Sequence, residues 1–556
     1  MMFVCLSREE PVSGEEVIVE TSQGELLGAT STTADGTHYF TFRGVPYAKP
    51  PVGPLRFKSP QEAEPWKGQR DARQFATRCL QEDGGSEDCL YLNIFTPQLG
   101  PNSNLPVMVW FHWGAFAFGS ADLDPGHLMD LGVMVAEENS SDLVTVVNKV
   151  CINEFAAPST RILEGFLSLE GTDVPGNAGL KDQVAALRWI NKNINQFGGD
   201  ADRVTLFGCS AGGSSVHFHI LSPLSTGLFH RGISQSGTAT DPWAYIEQSQ
   251  SYAFRLGRNL GLQTEDPQEL LDLLRNVPAD ELEAAVVKLL KPDEKTRYYI
   301  FPFLPSLEYS SRTEEPFLAQ HPDYIEHHGN FNKVPYITGV NKMEGKFSIV
   351  SDPTNNDVSQ LSYWETINSD LERVVPVDLG LEKGSPESLQ VANKVKEFYF
   401  GDREISLETK EQWIELQSDI LFNVKTQFTV RQFANRSNST YNYHFTYNNS
   451  AHTQEMDYLF YQDKVVGESS RDANIANYIG TLWANFAKTG VPLFQGGVKW
   501  EPVSKSRLYY LKIDDKLSLE EELEKERIDF WLDIYNSYQK SGLTFSPVTG
   551  RLDGEL

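Results

Sequence analysis

Residues 203–207 read as a short β-rich strand that runs without a break into Gly208-Cys-Ser-Ala-Gly212, and a helical stretch, 213–221, leaves that turn before Pro223. A strand, a Gly-x-Ser-x-Gly turn and a helix in that order restrict the fold more than any other feature of the chain. A turn sharp enough to expose the Ser210 hydroxyl holds that residue in strained backbone geometry, and side chains at Gly208 or Gly212 would collide across it. A second β-rich run, 107–111, also leads into a glycine-containing turn. Between the two, Leu180, Val184, Leu187, Ile190 and Ile194 recur every three or four residues, which sets them on one face of a helix that Gly198-Gly199 can end. Such alternation predicts an α/β fold with a large, mainly parallel central sheet flanked by helices. Near the end of the chain, Ser518 with Glu521 three residues on has the form of a capping box. Leu519, Leu523, Ile528, Trp531 and Ile534 follow, so a helix starting at Ser518 is expected.

The 556 residues show no internal repeat and no low-complexity tract, so one large domain is the simplest organisation. It is expected over 15–540, with an extension at 1–14 and a tail at 541–556. The 48 Lys and Arg stand against 76 Asp and Glu, a net charge of −28 that repels a phosphate backbone and argues against nucleic acid as a partner. No stretch approaches the roughly 20 apolar residues that cross a bilayer. Residues 1–7 make only about half of a signal-peptide core, and Glu9 and Glu10 follow, which favours the cytoplasm. Sequons at Asn139, Asn435, Asn438 and Asn448 lean the other way, towards a secreted glycoprotein. So do the cysteines: they are five, an odd number, and Cys79 and Cys89 form the natural disulfide pair around an 11-residue loop.

A serine hydroxyl is a weak nucleophile unless a base takes its proton and a carboxylate orients that base. Around this kind of turn the acid, then the histidine, follow later in the chain. Eleven histidines leave the choice of base open on residue type alone, although His217 and His219 ride on the helix that starts at the serine and cannot reach back to it. Four further stretches narrow it. Phe42-Arg-Gly-Val-Pro-Tyr-Ala-Lys-Pro-Pro-Val-Gly53, Ser86-Glu-Asp-Cys-Leu-Tyr-Leu-Asn93, Gly176-Asn-Ala-Gly-Leu-Lys-Asp-Gln183 and Phe197-Gly-Gly-Asp200 resemble the signature segments of the type-B carboxylesterases, the family that includes the cholinesterases. The resemblance, strongest to insect-type members, runs in order from about residue 15 to 540. It implies the α/β-hydrolase fold, a small-molecule ester as substrate and no cofactor. It also implies Ser210 as nucleophile, Glu344 in Val340-Asn-Lys-Met-Glu-Gly345 as the acid, and His452 in Ala451-His-Thr-Gln-Glu-Met-Asp-Tyr458 as the base. No His, Asp or Glu cluster has metal-ligand spacing, so no metal is expected.

The oxyanion formed during acyl transfer needs backbone donors, and the N–H of Ala211, just after the nucleophile, is one. His112-Trp-Gly-Ala-Phe116 follows the 107–111 strand and is similar to the family's His-Gly-Gly-(Gly/Ala)-Phe loop, which makes Gly114 and Ala115 the matching donors. Three positions depart from the pattern. Trp113 stands where the family usually has glycine facing the nucleophile, so its indole either narrows the acyl space or needs the loop to re-aim; it is expected to restrict bulky acyl groups and to lower general esterase turnover. Cys209 stands where Glu, Gln or His is common and is expected to be apolar packing behind the turn. After Val133-Met-Val135 the family has a short link to Gly165-Phe-Leu-Ser168, whereas this chain spends residues 136–164. Either Leu143-Val-Thr-Val-Val147 is the expected strand delayed by an insertion, or the segment is foreign, from an alternative exon or a flawed gene model. A disordered insertion there predicts a weak hydrolase.

Two functions compete. One is a serine carboxylesterase working through an acyl-enzyme on Ser210. The other is a binding or sequestering member of the same fold with little or no turnover, as in relatives such as neuroligin and glutactin. A cholinesterase subtype is disfavoured, since the Cys79–Cys89 loop carries no aromatic residue to face a quaternary ammonium.

Overall fold

The computed structural model describes residues 14–81, 84–119, 123, 125–139, 160–247, 249–291, 294, 301–308, 314–349, 361–460 and 470–538. Among them, thirteen strands share one sheet. They are β1 (Glu16–Glu20), β2 (Glu25–Thr32), β3 (His38–Pro46), β4 (Gln69–Asp71), β5 (Tyr91–Thr96), β6 (Leu105–Phe111), β7 (Met134–Asn139), β8 (Gly199–Cys209), β9 (Arg231–Gln235), β10 (Tyr336–Asn341), β11 (Thr440–Phe445), β12 (Tyr509–Ile513) and β13 (Ser518–Glu521). Their order is β1-β2-β3-β5-β7-β6-β8-β9-β10-β11-β12-β13, with β4 beside β2. The run from β7 to β12 is parallel throughout. The flanks are antiparallel, β1, β2, β3 and β5 on one side and β13 on the other. The sheet is therefore mixed, with the expected parallel character in its centre.

Six helices position the site: α1 (Ala178–Asn193), α2 (Ala211–Leu221), α3 (Lys410–Ser418), α4 (Val424–Ala434), α5 (Ser470–Thr489) and α6 (Lys525–Tyr538). The pleat of β6 divides the core: Val107, Val109 and Phe111 point into one cluster, Met108 and Trp110 into the other. Leu180, Val184, Leu187 and Ile190 of α1 bury in the first, as their spacing predicts, and Gly198 ends the following turn with φ +90°. Ile475, Ile479, Leu482 and Trp483 of α5 bury in the second. With both faces covered, β10 and β11 are buried at every position.

Two expectations are corrected. Ser518 starts no helix. Residues 518–521 pair with β12 as an edge strand, Leu519 opposite Leu511 and Glu520 opposite Tyr510, and the Ser518 hydroxyl donates to the Glu520 carboxylate (3.0 Å). Strand pairing takes the backbone that the capping box would have used, and α6 begins only at Lys525. Nor is the strand after Val133 delayed. Met134–Asn139 is that strand, held between β5 and β6, so the atypical segment begins after Asn139 rather than at Ala136. Residues 143–147, like 1–13 and the tail at 541–556, lie outside the described residues. The chain re-enters through the helix Thr160–Phe166, whose Leu163 and Phe166 bury in the first cluster.

Cys79 and Cys89 form a disulfide, and Cys209 is a buried free thiol; Cys5 and Cys151 lie outside the described residues. Within the disulfide loop, the Gln81 side-chain oxygen accepts from the Gly119 N–H at 3.1 Å, so the loop braces the turn that follows β6. Replacing both cysteines by serine is expected to lower unfolding stability by about 3 kcal/mol, the constraint such a short closed loop places on the unfolded chain. Urea unfolding of the oxidised protein against the variant checks it. Of the sequon asparagines, Asn438 and Asn448 are exposed, while the half-buried Asn435 donates its amide to the Arg431 carbonyl at 3.1 Å. Among the described residues no helix is long and apolar enough to cross a membrane.

Candidate active site

Ser210 sits between β8 and α2 with φ 57° and ψ −122°, backbone geometry a serine adopts only under constraint. The constraint is visible around it. A Cβ at Gly212 would lie 1.9 Å from the Phe111 carbonyl oxygen, and one at Gly208 would lie 2.5 Å from both that oxygen and the Gly212 backbone. Only glycines let β6, the turn and α2 approach this closely. The Ser210 N–H donates to the Gln235 carbonyl at the end of β9 (2.8 Å), and the side chain keeps 7% of its surface open.

The structure brings the three sequence-predicted residues together. His452 Nε2 lies 2.9 Å from Ser210 Oγ, and His452 Nδ1 lies 2.6 Å from Glu344 Oε2. Ser210 follows β8, Glu344 opens the 3₁₀ turn after β10, and His452 lies in the loop after β11, so all three stand at the C-terminal ends of parallel strands. Glu344 is fully buried, and its other oxygen, Oε1, accepts the Asn341 N–H at 2.6 Å. The His452 ring packs between Phe422 (4.4 Å between centroids) and Phe347 (6.1 Å). Phe422 belongs to a π-helical turn, Asp419–Asn423, between α3 and α4, and Trp243 Nε1 donates to the Leu421 carbonyl within it (2.7 Å). The two histidines of α2 are engaged elsewhere. His217 accepts the Ala239 N–H and lies 3.1 Å from Glu326, while His219 sits between Gln183 and Ser225, and burial pushes its pKa down to about 3.

Gly114, Ala115 and Phe116 have φ of +121°, +54° and +60°, three successive left-handed residues. For Ala115 and Phe116 this costs on the order of 1 kcal/mol each. The Gly114 carbonyl is turned back to accept from the N–H groups of Ala117 and Phe118. Among the described residues, the N–H groups of Gly114, Ala115 and Ala211 have no acceptor in the chain. Trp113 is half-buried against the second cluster, its indole edge-on to Trp110 at 6.2 Å.

Cys209 lies behind the turn in the second cluster, as expected of apolar packing, but it also meets a carboxylate that the sequence reading missed. Glu455, three residues after His452, is fully buried. Its Oε1 accepts from the Cys209 thiol (3.7 Å) and from Gln235 Nε2 (3.3 Å), and its Oε2 accepts from Asn341 Nδ2. Burial, then the nearby Glu344, push its pKa up to about 7. Burial and Glu455 likewise push the Cys209 thiol well up, so it stays protonated and donates. A short count from the base would have flagged Glu455; Asn341 and the π-helical turn carry no sequence signal. Among the described residues no three His, Cys, Asp or Glu side chains gather as a metal site.

The profile of the carboxylesterase family matches residues 15–531. A carboxylic ester hydrolase of Bombus ignitus is 32% identical, covering 94% of this chain and 95% of its own. Esterase FE4 of Myzus persicae is also 32% identical, over 88% and 87% of the two chains. The crystal structure of juvenile hormone esterase from Manduca sexta, with OTFP covalently attached, superimposes with a TM-score of 0.80 at 29% identity, covering 94% of this chain and all of that one. A mixed sheet with helices on both faces, a serine at a strained strand–helix turn and a match of sequence and structure over nearly the whole chain agree: the chain belongs to the carboxylesterase family, and the relatives it matches include carboxylic ester hydrolases.

Proposed function

We propose that the chain is a serine carboxylesterase that cleaves small-molecule carboxylic esters to alcohol and carboxylate through an acyl-enzyme on Ser210. The continuous line from Ser210 Oγ through His452 to Glu344, at 2.9 and 2.6 Å, carries the reading. With Nδ1 donating to the Glu344 carboxylate, His452 presents Nε2 as the acceptor for the serine proton. Ser210 Oγ then attacks the ester carbonyl, and the negative charge that develops on its oxygen meets the N–H groups of Ala211, Gly114 and Ala115. Those groups need no reorganisation, since among the described residues no backbone carbonyl accepts from them, and the cost of the left-handed Ala115 and Phe116 is consistent with such a role. Collapse expels the alkoxide, which takes the proton from His452. Water enters, gives its proton to His452 and attacks the acyl carbon; Ser210 Oγ leaves and takes that proton back from His452, and the acid product releases its own proton to solvent as it departs as carboxylate. Glu344 supports the imidazolium in both halves, and Phe347 and Phe422 keep water from competing for its ring.

A fluorophosphonate probe tests the reading, because it phosphonylates only an activated serine. Stoichiometric labelling at Ser210 with steady turnover of simple esters is expected. Labelling followed by a single burst marks a sequestering protein, and no labelling marks a binding protein; either outcome sinks the reading. For Trp113, packed towards Trp110, Trp113→Gly is expected to change kcat/KM by less than about tenfold for any ester and to keep the order of preference from acetyl to hexanoyl esters. A selective gain for the longer acyl groups would put the indole back in the acyl space.

A further inference from the structure

We propose that Asn341 is a positioning residue for hydrolysis, one side chain that ties the segment carrying the base, the acid and the buried Glu455 into a single register. The proposal rests on the serine-esterase reading above. Asn341 is the last residue of β10 and is fully buried. Its backbone N–H donates to Glu344 Oε1 at 2.6 Å, on the oxygen that His452 does not use. Its side-chain Nδ2 donates to the carbonyl of Ala451, the residue just before His452, at 2.8 Å, and its second proton goes to Glu455 Oε2. The Ala451 carbonyl can only accept, so the amide has one permitted orientation, and Glu455 must meet an N–H.

The far side of Glu455 returns to the nucleophile. Gln235 Nε2 donates to Glu455 Oε1, the Gln235 carbonyl accepts the Ser210 N–H, and Trp483 Nε1 holds the Gln235 amide oxygen at 3.1 Å. Serine, histidine and acid thus hang from one buried chain of amides and a carboxylate, with Asn341 at its branch point. Its Oδ1 is buried with no donor among the described residues. That is a cost to folding which a merely space-filling residue has no reason to carry, and such orphans concentrate where function needs them.

Glu455 also makes the arrangement sensitive to protons. The titratable groups around it are the Cys209 thiol at the end of β8, the Tyr443 hydroxyl of β11, Glu344 after β10 and His452 of its own loop. Burial keeps Cys209 and Tyr443 protonated, so Glu455 alone of the three buried groups Cys209, Tyr443 and Glu455 changes charge near neutrality. Above a pH of about 7 its carboxylate receives the Asn341 amide as an anion; below it, that charge is lost.

The test compares Asn341→Ala and Glu455→Gln with the unaltered protein in ester hydrolysis across neutral pH, in the rate of fluorophosphonate labelling and in thermal midpoint, with Ser210→Ala as the control. Asn341→Ala is expected to lower kcat and the labelling rate together, on the order of 10²-fold, while KM stays within about twofold. Glu455→Gln, which keeps an acceptor for the amide, is expected to retain turnover within about tenfold but to shift the inflection near neutrality in its pH profile. A folded Asn341→Ala with unchanged kcat and labelling overturns the proposal. Should Asn341→Ala fail to fold, Glu455→Gln decides, and an unchanged pH profile overturns it. An inert Ser210→Ala beside either result confines the failure to the positioning role, whereas an active Ser210→Ala removes the premise as well.

Discussion

Ser210→Ala is expected to lower kcat for ester hydrolysis by on the order of 10⁶-fold and to abolish fluorophosphonate labelling, with little change in stability. The size of the effect follows from covalent catalysis: without Oγ no acyl-enzyme forms, and only the backbone donors and binding remain. Stability should hold because among the described residues Oγ makes a single hydrogen bond, to His452, and sits in a site that is not closed to solvent. His452→Ala should cost about as much, and the double variant hardly more, because the two act as one unit. Glu344→Gln should cost on the order of 10⁴-fold, since the amide can present the imidazole with the wrong partner and favour the wrong tautomer. Steady-state rates of the purified variants, set beside their thermal midpoints, check all four. A Ser210→Ala protein within tenfold of the parent would place the chemistry elsewhere.

Gly212→Ala is the second large effect, and it acts on folding rather than on chemistry. The added methyl would stand 1.9 Å from the Phe111 carbonyl oxygen and 2.6 Å from that of His112. Both are backbone atoms of the turn after β6, so nothing as cheap as a rotamer change relieves the clash. The loss is expected to be at least about 3 kcal/mol, enough to leave much of the protein insoluble or unfolded. Gly227→Ala is the contrast: its φ is +79° but the space around it is open, so it should pay only backbone strain of about 1 kcal/mol. Urea midpoints of the two variants separate close approach from backbone conformation as the reason for glycine. Equal losses would show that the approach of β6 to α2 is softer than it looks.

The turn at Ser210 was legible from sequence because its constraint is local: two glycines two residues either side of a serine, with a strand before and a helix after. The α1 face was legible for the same reason, as a period held over four turns. Glu344 and His452 as partners of Ser210 were legible only through the resemblance, since nothing in their spacing singles them out from the other carboxylates and histidines. Ser518 shows how a local signal fails. Ser-x-x-Glu before an apolar run is good capping chemistry, but β12 offered those residues a ladder, and tertiary pairing won. Met134–Asn139 failed in the opposite sense, because Glu137, Glu138 and Asn139 hid the second half of a strand whose β identity comes from its two neighbours. Asn341 carried no signal because its hydrogen bonds to Glu344, Ala451 and Glu455 form only where the end of β10 meets the loop after β11.

The parallel pairing of β10 with β11, where Val340 lies opposite His444 and Met343 bridges to Ala451, carries a consequence for how the protein comes into being. The segment that carries His452 is synthesised about 240 residues after Ser210. A nascent or prematurely terminated chain that stops before β11 therefore exposes a sharply turned serine with no partner to activate it. Contacts between residues so distant in the chain form late, because the loops they close cost the most entropy. On the serine-esterase reading, reactivity is thus expected only in the completed chain, and broken or half-made copies are expected to be chemically silent.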